Sequence, residues 1–97
     1  MPFEITLAPQ AGASLKVLPA RLRTTVRDAL EAHLRHEPAK TSRSRIKRLR
    51  RLRRPQYRLR VDEVRVFYDI VDSTVEILAI VAKSEAEKWL SQYGEPS

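Results

Sequence analysis

The chain contains no cysteine, which excludes disulfides, thiol nucleophiles and zinc sites built on thiolates. Its only glycines are Gly12 and Gly94, and neither belongs to a GxGxxG or P-loop pattern, so no glycine-rich phosphate cradle is present. No run comes near the roughly 18 consecutive apolar residues of a membrane-spanning helix. The N-terminal MPFEITLAP carries an acid early and lacks a basic region followed by an apolar one, so it does not read as a signal peptide. These absences point to a cytoplasmic protein that makes no use of a membrane.

Acidic residues are missing from one long stretch. Between Pro38 and Val61 stand Lys40, Arg43, Arg45, Lys47, Arg48, Arg50, Arg51, Arg53, Arg54, Arg58 and Arg60, with no Asp or Glu. The remainder holds eight of the nineteen basic residues and all twelve acids. This segment is therefore +11 and the rest −4, giving the net +7. Charge concentrated in this way is the electrostatic footprint of a polyphosphate partner, with Lys40 to Arg54 as the candidate RNA-binding residues. The simpler alternative is a solvated, disordered basic tail, although the run is not terminal.

The 97 residues are 42% hydrophobic, enough for one modest core in a single domain over residues 1–97. Phe3 to Leu7 alternates apolar and polar and stops at Pro9, as a strand would. Ala11 to Leu18 reads as a short helix. Leu22, Val26, Leu30 and Leu34 recur every four residues and predict a helix over Pro19–His36, closed by Glu37-Pro38. Residues 39–56 read as mostly irregular, anchored by Ile46, Leu49 and Leu52. Period two then appears in Tyr57–Val61, Val64–Ile70 and Val75–Val81, with turns at Asp62-Glu63 and around Asp72-Ser73. Ser84 and Glu87 have the spacing of a capping box for a last helix through Trp89-Leu90. The order predicts an α+β fold: a sheet with helices packed on one face and a short C-terminal helix.

A turn at Asp62-Glu63 places Arg60 opposite Arg65, with Arg58 one pleat along. Like charges facing each other destabilise a sheet, so this arrangement favours an anion between them. The alternative is that the side chains splay into water. Alternation puts Tyr57, Leu59, Val61, Val64, Val66, Tyr68, Ile70, Ile77, Ala79 and Val81 on the helix side. Phe67, Leu78 and Ile80 then fall beside the arginines, as apolar anchors for stacked bases or for a partner peptide. His33 and His36 have no third ligand, and no metal site is expected. Asp69 and Glu76 are cross-strand neighbours and weak candidates for acid–base work.

YRLRVDEVRVFYDI followed by VEILAIVAKSEA resembles the RelE/ParE toxin superfamily, and ITLAPQA and AHLRHEP upstream fit the same order. The resemblance implies a small twisted antiparallel sheet with two N-terminal helices and a C-terminal helix. It implies a type II toxin of the RelE-like branch, a ribosome-dependent mRNA endoribonuclease that inhibits translation. Its partners would be the ribosome, mRNA and a cognate acidic antitoxin that binds it in a heteromeric complex and blocks it. ParE-like members inhibit DNA gyrase instead; a weak RNA-binding paralogue is a third alternative. No cofactor is implied, because the mRNA 2′-OH attacks the adjacent phosphate without a metal. Residue by residue, Arg58 and Arg60 match the basic pair before the turn, Arg65 the arginine of the next strand, and Lys83 the lysine after the last strand. The next catalytic arginine of the family falls at Ser84. Its C-terminal tyrosine falls near Leu90, leaving Tyr93 as the nearby candidate. Phe67, Leu78 and Ile80 would receive the antitoxin.

Overall fold

A computed structural model describes residues 1–97. Strand β1 (Glu4–Leu7) leads into helix α1 (Pro9–Val17), with Pro9 in the first turn, where its missing N–H costs nothing. Helix α2 (Ala20–Leu34) follows Leu18-Pro19. Short strands β2 (Ile46–Arg48) and β3 (Leu52–Arg54) occupy the basic segment. A meander of β4 (Tyr57–Val61), β5 (Val64–Val71) and β6 (Thr74–Ala82) comes next. A 3₁₀ turn (Lys83–Glu85), helix α3 (Ala86–Tyr93) and a two-residue strand β7 (Glu95–Pro96) complete the chain.

The main sheet has the order β1-β6-β5-β4-β2, and β3 pairs separately with β7. From β2 to β6 every pairing is antiparallel, but β1 runs parallel to β6, so the sheet is mixed rather than wholly antiparallel. The helical hairpin causes this. It carries the chain from β1 across one face, and the long basic segment then brings it back at the far edge. The basic segment is also more ordered than composition suggested. Ile46 is buried and pairs with Leu59, which fixes β2 at the sheet edge.

Val26, Leu30 and Leu34 of the α2 stripe are buried against Leu59, Val61, Val64, Val66, Tyr68, Val75, Ile77 and Ile80. On the opposite face Phe67, Leu78 and Ala79 form a second, smaller core under Trp89 of α3. Helices therefore cover both faces, α1 and α2 one and α3 the other. The register shift between Phe67 and Tyr68 leaves Leu78 as an extra residue on β6, between partners Ile77 and Ala79. A bulge reverses the alternation beyond it. Ile80 consequently faces the α2 side, while Ala79 and Val81 face the other, the reverse of the period-two expectation.

Both hairpin turns form without glycine. Asp62 (φ 51°) and Asp72 (φ 54°) take the left-handed conformation that Asp tolerates better than most side chains. At Gly94 space is the constraint. A Cβ there would lie 2.5 Å from the Leu90 carbonyl oxygen, the same oxygen that accepts the Gly94 N–H as α3 ends.

Tyr68 is fully buried and donates its hydroxyl proton to the Pro38 carbonyl at 2.6 Å, closing the loop after α2 onto the sheet. Burial, and then Tyr57 stacked on it at 5.4 Å, push its ionisation well above the ordinary tyrosine value. The unfolded chain therefore loses this proton first, and the stability it supports disappears as pH rises past about 10. Tyr68→Phe is expected to cost about 1–3 kcal/mol at neutral pH by orphaning the Pro38 carbonyl. It should also flatten the alkaline decline relative to the native chain in urea titrations above about pH 10. Equal alkaline slopes would remove Tyr68 as the cause.

Candidate nucleic-acid interface

Arg60 and Arg65 are direct cross-strand partners, and Arg58 lies two residues back on β4, opposite Phe67. No salt bridge reaches any of the three. Arg65 is only 7% exposed, a rare state for an arginine without a carboxylate. Its Nη1 donates to the carbonyls of Asp62 (2.8 Å) and Val64 (3.0 Å), which hold the guanidinium against the hairpin turn. Arg58 is half-buried, and its Nε is enclosed without any acceptor. Desolvation first, then Arg65 and Arg60, lower its pKa from the ordinary guanidinium value. Arg60 is exposed, with no partner for its side chain. Lys83 joins this end of the sheet because its backbone N–H donates to the Glu63 carbonyl at 2.7 Å. The result is a cluster of positive charge on one hairpin, with Arg65 held in place and no carboxylate against it, a setting that suits an oxyanion.

Arg54 shows the opposite condition. Its Nε lies 3.1 Å from Asp69 Oδ2 and its Nη2 3.0 Å from Glu76 Oε1. Asp69 and Glu76 are cross-strand partners, as the pattern predicted, but Arg54 occupies both of them. Asp69 also accepts the Gln56 N–H at 2.8 Å, and Gln56 Oε1 accepts the Ile70 N–H at 2.9 Å. Gln56 thus joins strands in a way that neither charge nor periodicity signals. Arg53 pairs with Glu95 beside the β3–β7 contact. Arg48 donates to the Gln56 carbonyl at 2.7 Å and covers the Tyr57 ring at 5.2 Å. Arg48, Arg53 and Arg54, read from sequence as RNA-binding, thus have internal partners that help hold the fold. Arg43, Arg45, Lys47, Arg50 and Arg51 have no side-chain partner, and Lys40 has only a loose one in Glu37 at 3.9 Å.

The proposed apolar anchors are not an open surface. Phe67 is fully buried and stacked on Trp89 at 5.1 Å, Leu78 is buried beside them, and Ile80 lies in the core on the other face. The bulge at Leu78 and the lid formed by α3 are the reasons. Tyr93 is exposed and stands 5.5 Å beyond Trp89. It lines a cavity of about 220 Å³ with Ala8, Arg54, Leu78 and Glu95, which none of Arg58, Arg60, Arg65 or Lys83 enters. The structure therefore sets Arg58, Arg60 and Arg65 side by side, fastens the Lys83 backbone to the neighbouring hairpin turn, and leaves Tyr93 in a separate cavity. The capping box does not form either. Ser84 sits inside the 3₁₀ turn, whose own bond from the Ala86 N–H to the Lys83 carbonyl opens α3, and Glu85 takes the N-cap position.

Arg54→Ala should strand the Asp69 carboxylate, whose pKa burial already raises. The expected loss is about 1–3 kcal/mol near pH 7. It should shrink as pH falls, because the folded form holds the Asp69 proton more tightly than the unfolded chain. Adding Asp69→Asn should recover part of it, since an amide needs no counter-charge. Urea denaturation of the two variants at two pH values checks both points.

The fold has relatives. The model of the ParE toxin of type II toxin–antitoxin systems, parDE, matches residues 5–87. No curated protein matches. Among solved structures, the Mycobacterium tuberculosis toxin–antitoxin complex RelBE2 is similar at 27% identity and a TM-score of 0.72, over 84% of this chain and 99% of that one. The archaeal RelE–RelB complex from Pyrococcus horikoshii is similar at 22% identity and a TM-score of 0.56, over 86% and 97%. A mutant of the E. coli toxin RelE in the free state is similar at 18% and 0.54, over 94% and 93%. Together with the α+β fold, the match over residues 5–87 shows that this chain belongs to the ParE toxin family of the RelE/ParE superfamily, as a toxin of a type II toxin–antitoxin system.

Proposed function

We propose that the toxin is a ribosome-dependent mRNA endoribonuclease. The observation that carries this reading is the Arg58/Arg60/Arg65 cluster, held on a rigid sheet with no carboxylate to neutralise it. In the reaction the 2′-oxygen of mRNA forms a bond to the adjacent phosphorus and gives up its proton. The bond from phosphorus to the 5′-oxygen breaks, and that oxygen takes a proton as it leaves. The products are a 2′,3′-cyclic phosphate and a 5′-hydroxyl. Three guanidinium groups, of which Arg65 is held by the turn carbonyls, stabilise the phosphorane as its charge develops, and they need no metal. Lys83, at the same end of the sheet, is the group offered for proton transfer. The ribosome supplies the aligned message, and the free cations of the basic segment hold the RNA backbone.

The partner that silences such a toxin is an acidic antitoxin, and the Mycobacterium and Pyrococcus relatives are complexes with their antitoxins. Its carboxylates would sit on the arginine cluster and its rim, since Phe67 and Ile80 are covered. A cytoplasmic location fits both partners, and no helix is long and apolar enough to cross a membrane. Gyrase inhibition without chemistry is the second reading. It is favoured by the ParE family match and by the separation of Tyr93 from the arginines.

Arg58→Met keeps the aliphatic stem and removes a desolvated, repelled charge. It is expected to leave stability unchanged or raise it, while cleavage in a translating extract falls about 10²–10³-fold. Arg65→Ala should lose activity and stability together, because it also releases the turn carbonyls. Primer extension beside a supercoiling assay decides between the readings. Inhibited supercoiling with intact mRNA would give the function to the gyrase alternative.

RNA binding by the basic segment should be salt-dependent. With about five phosphates contacted on a single strand, log K is expected to fall with log salt at a slope of about −3.5. A slope near zero in a fluorescence titration would remove the electrostatic basis of the reading.

A further inference from the structure

Two adjoining cavities lie where α2 meets the start of the basic segment, away from the helix side chains that form the core. One, of about 240 Å³, is lined by His33, His36, Lys40 and Arg45. The other, of about 470 Å³, is lined by Thr25, His33, Ser44, Arg45 and Arg60. His33 and Arg45 belong to both, so the two form one groove, and Arg60, the cross-strand partner of Arg65, lines its far end. Arg45 sits on fixed backbone. Its N–H donates to Ser42 Oγ at 3.0 Å and its carbonyl accepts the Arg60 N–H at 2.9 Å. Its guanidinium has no partner, as does that of Arg60. Only Glu37, loosely paired with Lys40, and Asp62 bring negative charge to the walls.

We propose that this groove is a second phosphate subsite, which grips the RNA backbone next to the phosphate held by Arg58, Arg60 and Arg65, with Arg45 as its principal cation. The proposal rests on the reading of the toxin as an RNA-binding protein and adds the path that the strand takes. Charge complementarity and continuity through Arg60 select the RNA backbone as the occupant. The hydroxyls of Thr25 and Ser44 supply further donors that suit phosphate oxygens. His33 supports this electrostatic picture. Burial and then Arg45 lower its pKa, so it stands as a neutral imidazole beside an uncompensated cation. From its own helix it is faced by His36, from the loop by Arg45, and from the end of β4 by Arg60 and Asp62.

The test uses the full chain and a 2′-O-methyl RNA hexamer, which cannot be cleaved. NMR of the His33 ring is expected to show a shift on titration and a higher pKa in the complex, because a phosphate offsets Arg45. Arg45→Ala should weaken hexamer binding about fivefold at 0.1 M salt and reduce the salt slope by about 0.7. Arg45→Lys should restore most of both, and melting curves confirm that the variants fold. Unchanged affinity and slope in Arg45→Ala would overturn the subsite, even with mRNA cleavage intact. Hexamer binding that leaves the His33 pKa unmoved would do the same. So would a His33 response to an acidic peptide but not to RNA, which would assign the groove to a protein partner. Binding through Arg45 in a protein that cuts no mRNA would uphold the subsite while the nuclease reading fails.

Discussion

Strand β5 is walled in on both faces, and every polar group that it carries must be satisfied where it stands. Tyr68 reaches the Pro38 carbonyl, and Asp69 takes Arg54 and the Gln56 N–H. Arg65 is the exception. It gives one nitrogen to two turn carbonyls and finds no carboxylate at all. A buried cation with dipoles but no counter-charge is held here by the hairpin-turn carbonyls alone. That arrangement keeps the positive charge from collapsing into an internal pair.

The chain had the means to neutralise the cluster and uses them elsewhere. Asp69 stands on β5 with Arg65, and Glu76 on the neighbouring β6, yet the register directs both to Arg54 at the other end. Glu95 goes to Arg53 and ties the C-terminal strand to the basic segment. The acids therefore stabilise the parts of the basic segment that build the fold. Of the cations left free, Arg45 and Arg60 stand side by side at the end of β4, joined by the Arg60 N–H to the Arg45 carbonyl. Self-repulsion among Arg58, Arg60 and Arg65 costs stability in the free protein, a cost that a bound anion would relieve.

Much of this was legible in the sequence because it depends on periodicity and local turns. The α2 stripe, the three-strand meander and the opposition of Arg60 and Arg65 follow from spacing alone. What spacing could not reveal was set by one extra residue and by tertiary pairing. The bulge at Leu78 moved Ile80 to the core and Ala79 and Val81 to the other face. The parallel placement of β1 required knowing the path of the whole chain. Charge counting treated all the arginines of the segment alike, since the carboxylates that claim Arg53 and Arg54 lie many residues away. Trp89 was visible as part of a last helix, but nothing in its neighbourhood showed that it would close over Phe67.

The position of Tyr93 follows from that closure. Trp89 lies flat on Phe67, at an interplanar angle of 6°, and Tyr93 packs against its far side. The stack directs α3 towards β3, where Gly94 leaves room for the turn and Glu95 meets Arg53. A tyrosine at this point can support the helix or meet a ligand near Arg54, but it does not share a cavity with Arg58 or Arg65. If phosphodiester chemistry occurs in this geometry, its electrostatic part belongs to the arginines of β4 and β5. Its proton transfer belongs to a group at their end of the sheet, where Lys83 is fastened to the hairpin turn. The fold thus separates the ring that packs on its C-terminal helix from the unpaired arginines of β4 and β5.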